Sequence, residues 1–483
     1  MSVVSEAASL ARDLRRRLGS TALVLDDPDQ LECYAYDASF EAMLCPRLPW
    51  VVVQPRTTED VSRTLAFASE RRIPVTARGA ATGQAGGALP VLGGIVVDLS
   101  RMNRILELDA PNLQVFVEPG VVHADLNAFL SPHGLIFPPD PGSSRMCTVG
   151  GMVSNNSRGM RAIKYGCTGD YVLGLEVVLA NGQVITTGSV GSRALQSSSG
   201  FELTRLFVGS EGMLGIITRL RLRVIPRPAC RGIVLAQFGQ LEAAGESVGR
   251  VLQAGILPSA IEILDASAIR AVNLYRPALR LPDTEAILLY EVDGNAESVA
   301  TDARRIAEVV VSLADRVEWS DEPTKVAALW EARSVVGAAS GQIKPGCARV
   351  YAGEDICVPL TQVPRTLRAI QDTARSLDLT VVTYGHIATG NLHPAPIIDV
   401  SDPDQVGRVR RFADAIHRLA RQMGGTVTGE HGVGMTRIDY MQEEHGAALN
   451  VMWQIKQALD PLNILNPGKM FPPEMVSRSP TAV

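Results

Sequence analysis

Residues Arg78 to Pro90 read RGAATGQAGGALP, a stretch rich in glycine, alanine and threonine that follows a predicted strand, Ile73 to Ala77. Small residues allow successive backbone N–H groups to converge on the oxygens of an anion. The spacing is not GxGxxG and no helical pattern follows directly, which argues against a Rossmann loop; the GK[ST] of a P-loop is also missing. A tight structural turn is the alternative reading of this loop taken alone.

Two further segments of the same kind follow. Pro138 to Gly169 is rich in Gly, Ser, Asn and Thr, and from Gly142 onward it has almost no periodicity. Gly209 to Thr218, GSEGMLGIIT, is another turn of small residues that enters a strand. Long loops in compact proteins usually bind something. Three such loops in one domain indicate a long dinucleotide that lies across it.

Short strand and helix patterns alternate around these loops, which predicts a mixed α+β fold. Asn181-Gly182 joins two alternating runs and predicts a hairpin of Val172 to Leu179 with Gln183 to Thr187. Thr57 or Thr58 is expected to cap a helix that runs to about Arg72. The predicted strands are Val51–Val53, Ile95–Leu99, Val115–Val117, Gly134–Phe137 and Ile216–Val224, with a helix at Ala124–Ser131.

Pro226 and Pro228 mark the best domain boundary in the chain. Beyond them, strands and helices alternate in an apparent repeat, which predicts an antiparallel sheet covered by helices on one face. The predicted strands are 233–238 and 286–292, and the predicted helices are 241–254, 297–314, 361–377, 404–423 and 446–459. The predicted domains are an N-terminal helical segment (1–47), a ligand-binding domain (48–227), a second domain (228–472) and a disordered tail (473–483).

Two short stretches of the second domain carry the chemistry: GHIATGNLH, Gly385 to His393, and GEHGVG, Gly429 to Gly434. Two imidazoles and a carboxylate can hold a divalent cation and leave coordination positions open. A third histidine beside them would then be free to act as a base on a substrate hydroxyl. Any one of these histidines alone could be an ordinary buried polar residue.

The composition excludes several other classes. The formal net charge of −5 gives no basic field for nucleic acid. No stretch reaches the ~18 uncharged apolar residues of a membrane span, and the N-terminus lacks the apolar core of a secretory signal. The seven scattered cysteines contain no CxxC pair, which favours reduced thiols. We therefore expect a cytoplasmic protein, or one held at the inner membrane only through a partner.

Together, these motifs resemble the FAD-linked 2-hydroxyacid dehydrogenase and oxidase family, which includes glycolate oxidase flavin subunits, D-lactate dehydrogenases and D-2-hydroxyglutarate dehydrogenases. The resemblance covers about residues 33 to 472. It implies an FAD-binding domain of the vanillyl-alcohol oxidase / p-cresol methylhydroxylase type, made of two subdomains, then an antiparallel-sheet substrate domain and a helical C-terminal return to the flavin.

The resemblance implies FAD contacts in four places. The pyrophosphate loop would contribute Arg78, Gly79, Thr82, Gly83, Gly86 and Gly87. The isoalloxazine and ribityl stretch would contribute Pro139, Asp140, Ser143, Thr148, Gly150, Gly151 and Asn155. The adenine-side turn would contribute Glu211, Gly215 and Ile216, and the NPGK segment Asn466. Ala81 stands where relatives usually have glycine. The first loop has no histidine, so FAD is expected to be non-covalent.

The resemblance also implies roles for the histidine stretches. It places the metal ligands at His386, His393 and Glu430, and the general base at His431. Relatives often have Gly-Asp in place of Ala388-Thr389, a change that removes an outer carboxylate. The substrate residues it implies are Arg333, as a carboxylate clamp, with Lys344 and Asn391; Arg349 is a nearby cation.

The implied activity is oxidation of a D-2-hydroxy acid such as glycolate or D-lactate to the 2-oxo acid, with one divalent metal, Zn or Mn. The electron acceptor would be a quinone, a cytochrome, an electron-transfer flavoprotein or an iron–sulfur subunit, and the protein would be a homodimer or part of a hetero-complex. Two alternatives stay open: a non-catalytic FAD-binding subunit of an oxidase complex, and a metal-dependent hydrolase.

Overall fold

The computed structural model describes residues 3 to 477. Its first part is a 4-stranded sheet in the order β1-β2-β4-β3, with β2, β4 and β3 parallel and β1 antiparallel to β2. The elements of this part are α1 (Val3–Leu18), β1 (Leu23–Leu25), α2 (Pro28–Glu32), α3 (Phe40–Leu44), β2 (Val51–Gln54), α4 (Thr58–Arg71), β3 (Val75–Arg78) and β4 (Ile95–Asp98). The N-terminal segment is therefore not only helical, because it supplies β1.

Helix α4 shows how the sequence determines this part. The Thr57 side chain accepts the backbone N–H of Asp60, and the Asp60 carboxylate accepts the backbone N–H of Thr57, so the expected cap is present. Val61, Leu65 and Ala68 form its buried face against the sheet and α1. Arg72 ends the helix in a left-handed conformation.

The second part is a 5-stranded antiparallel sheet in the order β5-β6-β10-β8-β9, with a small β7–β11 pair beside it. Its elements are β5 (Ile105–Asp109), β6 (Gln114–Val117), α5 (His123–Leu130), β7 (Leu135–Ile136), α6 (Val149–Asn155), α7 (Ala162–Tyr165), β8 (Val172–Val178), β9 (Val184–Thr186), α8 (Leu203–Phe207), β10 (Ile216–Arg223) and β11 (Ile225–Pro226). The hairpin predicted at Asn181-Gly182 is β8–β9.

The glycine-dense region is not the unstructured loop that its lack of periodicity predicts, because it contains α6 and α7. Thr148 caps α6 by accepting the N–H of Gly151, and Asn156 ends the helix with a positive φ of 50°. Val149, Met152 and Val153 are buried in the core of the second sheet. Tertiary packing therefore stabilises a helix in which two consecutive glycines would otherwise be unfavourable.

The third part is an 8-stranded antiparallel sheet, β15-β12-β14-β13-β18-β19-β16, with β17 paired to β19. Its elements are β12 (Cys230–Phe238), α9 (Leu241–Gln253), β13 (Ala260–Asp265), α10 (Ala266–Tyr275), β14 (Ala286–Gly294), α11 (Ala296–Val310), β15 (Arg316–Ser320), α12 (Pro323–Ser334), α13 (Val336–Ser340), β16 (Ala348–Arg349), β17 (Ile356–Cys357), α14 (Val363–Ser376), β18 (Thr380–Gly385) and β19 (Asn391–Ile398).

Helices cover both faces of this sheet, so the expectation of one covered face is wrong. Leu288 of β14 faces a core that includes α9, α11 and α14, whereas its neighbour Ile287 faces α10 and α13. Successive residues of a strand point to opposite faces, and here both sets are apolar. The antiparallel sheet itself, and the α+β class of the whole chain, are as predicted.

The C-terminal part returns to the first sheet. It contains α15 (Pro403–Gln422), α16 (Met441–His445), α17 (Ala448–Leu459) and α18 (Pro473–Ser477). Leu465 forms a parallel bridge with Val75 on the edge strand β3. Helix α18 lies where the sequence predicts a disordered tail; the rest of that tail, 478 to 483, lies outside the described residues.

A buried ion pair, Lys456 with Asp460, fixes this return. The Lys456 ammonium also donates to Met213 O at 2.9 Å and to Leu465 O at 2.8 Å. The Asp460 carboxylate accepts the N–H groups of Ile464 and Leu465. Both side chains are fully shielded from solvent, so each charge depends on the other.

Replacing Lys456 by methionine should leave the Asp460 carboxylate buried without a counterion. We expect a destabilisation of roughly 3–5 kcal/mol, the usual result of breaking a buried pair, measured as a lower midpoint of thermal or urea unfolding. Lys325→Met is the matched control, because Lys325 is 69% exposed and pairs loosely with Glu322 at 3.6 Å. Equal midpoints for the two variants would contradict this account.

Candidate active site

The β18–β19 hairpin brings His386 and His393 together. His386 directly follows β18, a short 3-10 turn covers Ile387 to Thr389, and β19 then carries His393 opposite Tyr384. The two imidazole rings stand at 85° to each other with centroids 5.1 Å apart. The turn between the two strands therefore places both imidazoles on one side of the hairpin end.

Gly390 makes this turn possible. Its φ is 76°, and a Cβ at this position would lie 1.9 Å from the carbonyl oxygen of Val358. Any side chain here would have to displace backbone as well as adopt an unfavourable conformation.

The loop that carries Glu430 and His431 is held by a residue that the sequence did not single out, Asp355. Its buried carboxylate accepts the backbone N–H groups of Gly429, Glu430 and His431 at 2.8 to 3.1 Å. It also accepts the hydroxyl of Thr428 at 2.6 Å and the amide of Asn391 at 2.9 Å. Asp355 thus connects the loop to the start of β19.

The imidazoles of both stretches converge on one oxygen, Glu430 Oε1. The Nε2 atoms of His386, His393 and His431 lie 3.2, 3.4 and 3.7 Å from it. Donor atoms of Asp355, His393, Glu430 and His431 also lie within 4.8 Å of one another. This second set differs from the expected ligands, since it contains Asp355 in place of His386 and adds His431, the expected base. The oxygens of Asp355 already accept several N–H groups, whereas His386 Nε2 faces Glu430 Oε1.

Further carboxylates orient the histidines from behind. Glu262 on β13 lies 2.7 Å from His386 Nδ1 and accepts Arg333 Nε at 2.5 Å. Glu354 Oε1 lies 3.4 Å from His431 Nδ1 and 3.4 Å from Arg437 Nη2. Glu262 therefore places a carboxylate next to His386, although residues 388 and 389 contribute none. The sequence signal for Glu262 was a glutamate within the mainly apolar segment AIEILD, which is a fully buried strand in the structure.

Burial and neighbouring charges shift the pKa values of Glu430 and of the three histidines. Burial alone would raise the pKa of Glu430, but the adjacent His386 lowers it to about 2. Burial disfavours protonation of His386, yet Glu262 and Glu430 raise its pKa to about 10. Burial and the neighbouring His386 hold the pKa of His393 well below its usual value. Burial would also lower the pKa of His431, but Asp355 and Glu354 raise it.

These residues fit a divalent cation. The cluster combines three imidazoles, two guanidiniums and four carboxylates. The guanidiniums are those of Arg333 and Arg437, and the carboxylates are those of Glu262, Glu354, Asp355 and Glu430. Three Nε2 atoms directed at one carboxylate oxygen are a nitrogen and oxygen donor set that suits such ions.

The first glycine-rich loop fits an anionic group. Across the described residues, the backbone N–H groups of Gly79 to Gly87 have no hydrogen-bond acceptor. A Cβ at Gly79 would lie 2.3 Å from Thr148 Oγ1, so the loop and the start of α6 approach closely. Unpaired N–H groups in such a turn are suited to phosphate oxygens.

Several expected FAD residues have structural partners. The Arg78 guanidinium donates to Tyr36 O and Cys33 O, and so fastens the N-terminal segment beside the loop. Asp140 pairs with Arg161. The Asn466 amide donates to Gly87 O and Glu211 O. These contacts occupy side chains that the resemblance assigns to the cofactor.

The remaining expected FAD residues shape the same region mainly through backbone. Thr82 precedes Gly83, whose carbonyl oxygen accepts the N–H of Ala38, and Gly86 packs on Met435. Pro139 is buried, and Ser143 O accepts two N–H groups. Gly150 packs on Pro119, and Gly151 donates to the cap of α6. Gly215 packs on Val177, and Ile216 begins β10 in the core.

The cofactor loops touch the histidine cluster directly. The Asn155 amide donates to Glu430 O at 2.9 Å. Glu211 accepts the N–H groups of Val433 and Gly434, both at 2.8 Å. A group bound by the glycine-rich loops would therefore lie close to Glu430.

The expected substrate residues are not equally placed. Asn391 lines a cavity beside Glu430. Arg333 donates through Nε to Glu262, and its guanidinium carbon lies 4.9 Å from the centre of the Tyr384 ring. Lys344 is exposed between α13 and β16, and its ammonium has no partner in the described part of the chain. Arg349 instead contacts the site, since it donates to the Tyr384 hydroxyl at 2.6 Å.

Two N-terminal sheets, a larger antiparallel-sheet domain and a C-terminal return form the fold of p-cresol methylhydroxylase. The solved structure of p-cresol methylhydroxylase superposes with a TM-score of 0.79 at 20% identity, covering 96% of this chain and 97% of that one. The 4-ethylphenol oxidase of Gulosibacter chungangensis gives 0.78 at 19% identity, covering 98% of both chains.

Sequence comparison defines the family more closely. Residues 227–470 match "FAD linked oxidases, C-terminal domain" and residues 49–188 match "FAD binding domain". The glycolate oxidase subunit GlcD of Bacillus subtilis is 38% identical, covering 91% of this chain and 92% of that one. The probable mitochondrial D-lactate dehydrogenase of Danio rerio is 35% identical, covering 88% and 85%. The chain belongs to the FAD-linked oxidase family.

Gly390→Ala should disrupt the hairpin that pairs His386 with His393. We expect a loss of roughly 2–4 kcal/mol of stability from the positive φ and the contact with Val358 O, measured as a lower midpoint of thermal unfolding. Gly407→Ala is the control and should be neutral or slightly stabilising, because it lies inside α15 and its Cβ would meet only the Arg411 side chain, at an ordinary 3.8 Å. An unchanged midpoint in Gly390→Ala would contradict the assigned geometry.

Proposed function

We propose that the protein oxidises a small D-2-hydroxy acid, such as glycolate or D-lactate, to the 2-oxo acid, with FAD as the hydride acceptor and a bound divalent cation. One observation carries this proposal: three imidazole Nε2 atoms converge on Glu430 Oε1 in a loop that Asn155 and Glu211 tie to the FAD-binding domain. The names of the relatives, glycolate oxidase subunit and D-lactate dehydrogenase, support the substrate class.

In this proposal His386, His393 and Glu430 hold the cation, which would be Zn or Mn. Glu262 orients His386 through Nδ1 and so directs Nε2 toward Glu430. A bound cation lowers the pKa of a coordinated hydroxyl. The glycine-rich loops hold FAD without a covalent bond, and the flavin supplies the redox chemistry.

His431 takes the proton of the substrate hydroxyl. Its Nε2 faces Glu430, and its Nδ1 faces Glu354, so the carboxylate of Glu354 can stabilise the imidazolium that forms. The balance would be complete: the O–H proton would go to His431 and the C2–O bond would become a carbonyl, while bound FAD would supply the acceptor for the C2 hydrogen and its two electrons.

Reduced flavin must then pass its electrons to an acceptor. We propose a quinone, a cytochrome, an electron-transfer flavoprotein or an iron–sulfur subunit, within a hetero-complex or a homodimer. The word "subunit" in the names of the glycolate oxidase relatives supports a complex. Within residues 3 to 477, no helix is long and apolar enough to cross a membrane. A cytoplasmic location, or one at the inner membrane through the partner, remains our proposal.

The division of labour along the chain is part of the proposal. Residues 48 to 227 would bind FAD, and residues 228 to 472 would bind metal and substrate. The change from the second sheet to the third falls between β11 and β12, which supports the boundary.

His431→Ala should bind FAD and metal normally but reduce the flavin roughly 10²–10⁴ times more slowly with D-lactate or glycolate, the usual contribution of a general base. Stopped-flow bleaching of the flavin absorbance measures the rate. The control is His133→Ala, because His133 is exposed and, among residues 3 to 477, its ring contacts that of Phe129 alone. Unchanged reduction by His431→Ala would remove the base assignment.

Removal of the cation should stop substrate oxidation without releasing FAD. After dialysis against a chelator we expect the protein to stay yellow, lose at least ~90% of its flavin reduction rate, and recover when Zn or Mn is restored. The same experiment separates the alternatives: a colourless protein after reconstitution with FAD would favour the hydrolase, and a yellow protein that no 2-hydroxy acid bleaches would favour a non-catalytic subunit.

A further inference from the structure

The first glycine-rich loop, Arg78 to Pro90, is held from the side of its carbonyl oxygens. Gly83 O accepts the N–H of Ala38 at 3.0 Å, from the segment before α3. Ala85 O accepts the N–H of Met435 at 2.8 Å, from the C-terminal part of the chain. A planar peptide group directs its N–H opposite to its C=O, so these contacts turn the N–H groups that follow toward the other side of the loop.

The loop also borders open space. A Cβ added at Gly83 or at Gly87 would meet no described atom within 4 Å. An anion can therefore approach the N–H groups of the loop, which have no acceptor among residues 3 to 477.

Lys469 binds the last carbonyl oxygen of this loop from within the protein. Its ammonium donates to Gly87 O at 2.7 Å and also to Asn466 Oδ1, while the Asn466 amide donates to the same Gly87 O at 3.2 Å. Lys469 is only 1% exposed. A buried ammonium thus lies behind the loop whose front is suited to an anion.

Lys469 has no counterion in direct contact within the described chain. The two carboxylates that face it, Asp37 and Glu211, act on it without forming an ion pair, and burial raises the pKa of both and so favours their neutral forms. The other fully buried lysine, Lys456, pairs directly with Asp460. Buried charges are normally paired. Lys469 therefore requires an anion that the described residues do not supply.

The protonation of Lys469 depends on its surroundings. Burial lowers its pKa to about 7, although the nearby Asp37 and Glu211 act to raise it. An anion at the loop would favour the charged form and raise the pKa of Lys469 again. Binding of such an anion at a pH above about 7 is therefore linked to uptake of a proton.

We propose that Lys469 is a positioning residue for the pyrophosphate of FAD: its ammonium fixes the Gly87 carbonyl and supplies the buried positive charge that the pyrophosphate neutralises. The proposal takes FAD as the cofactor from the proposed function and is independent of the substrate. Because a buried charge is weakly screened, the ammonium stabilises an anion at the N–H groups without touching it.

The first test needs no variant. FAD is titrated into the flavin-free, full-length protein by calorimetry in two buffers of different ionisation enthalpy. We expect uptake of about one proton per FAD near pH 8 and almost none near pH 5.5, where Lys469 is already charged. The dissociation constant of FAD should rise by up to about tenfold per unit as the pH increases above about 7. FAD binding without proton uptake near pH 8 overturns the proposal.

The second test uses Lys469→Gln, which keeps a hydrogen-bond donor for Gly87 O but removes the charge. Loss of the charge should raise the dissociation constant of FAD roughly 10- to 100-fold near pH 7 and abolish the proton uptake. Riboflavin, which carries no phosphate, should bind within about threefold of its wild-type affinity, because it gains nothing from the charge. Equal losses of affinity for FAD and riboflavin overturn the proposal, since they indicate a general loss of structure.

Lys325→Gln is the matched control, because Lys325 is 69% exposed. It should bind FAD as the wild type does and take up the same proton. Uptake that persists in Lys469→Gln would assign the proton to another group and overturn the proposal.

Failure of the proposed function would be visible separately, since these experiments measure binding and not turnover. Proton-linked FAD binding in a protein whose flavin no 2-hydroxy acid bleaches supports the role of Lys469 and overturns the proposed function. Flavin bleaching by D-lactate in a protein that binds FAD without proton uptake has the opposite meaning.

Discussion

The site depends on one interaction: the Asp355 carboxylate accepts hydrogen bonds from consecutive backbone N–H groups. Asp355 itself has a positive φ of 72°, an unfavourable conformation for a residue with a side chain. Its environment compensates, because the peptide N–H groups of residues 429 to 431 and the hydroxyl of Thr428 all point toward one buried charge. Burial would raise the pKa of Asp355, but His431 and Arg437 keep it below its usual value, so the acceptor stays ionised.

This arrangement gives the Glu430 loop a rigid backbone without regular secondary structure. One side of the loop is held by Asp355 and the other by Glu211, which lies in the turn before β10. The backbone N–H of Met435 extends the contact to Ala85 O in the first glycine-rich loop, at 2.8 Å. Cofactor loops and histidine cluster are thus parts of one hydrogen-bonded assembly, although they come from distant parts of the sequence.

Local patterns predicted the fold where the physical cause was itself local. The helix cap expected at Thr57 or Thr58 and the Asn181-Gly182 hairpin depend on residues a few positions apart, and both are present. Helix α6 was missed because its stability comes from burial of Val149 and Met152 rather than from propensity. The cover on both faces of the third sheet was missed because the strand pattern did not reveal how many helices would pack there.

The same distinction applies to the candidate site. Two motifs marked His386, His393, Glu430 and His431, since these residues lie within short stretches. Glu262, Glu354 and Asp355 reach the cluster from other strands and turns, and no local spacing relates them to it.

The edge position of β3 has a consequence for biosynthesis. Val75 donates to Ile464 O and accepts from Asn466, both at 2.7 Å, so the N-terminal sheet is completed by residues near the opposite end of the chain. During synthesis the strand edge at β3 must stay uncovered until almost the whole polypeptide has left the ribosome. An uncovered edge is open to pairing with other chains. The N-terminal unit therefore reaches its final form only after residues 464 to 466 have been synthesised, and chaperone protection would matter most in that interval.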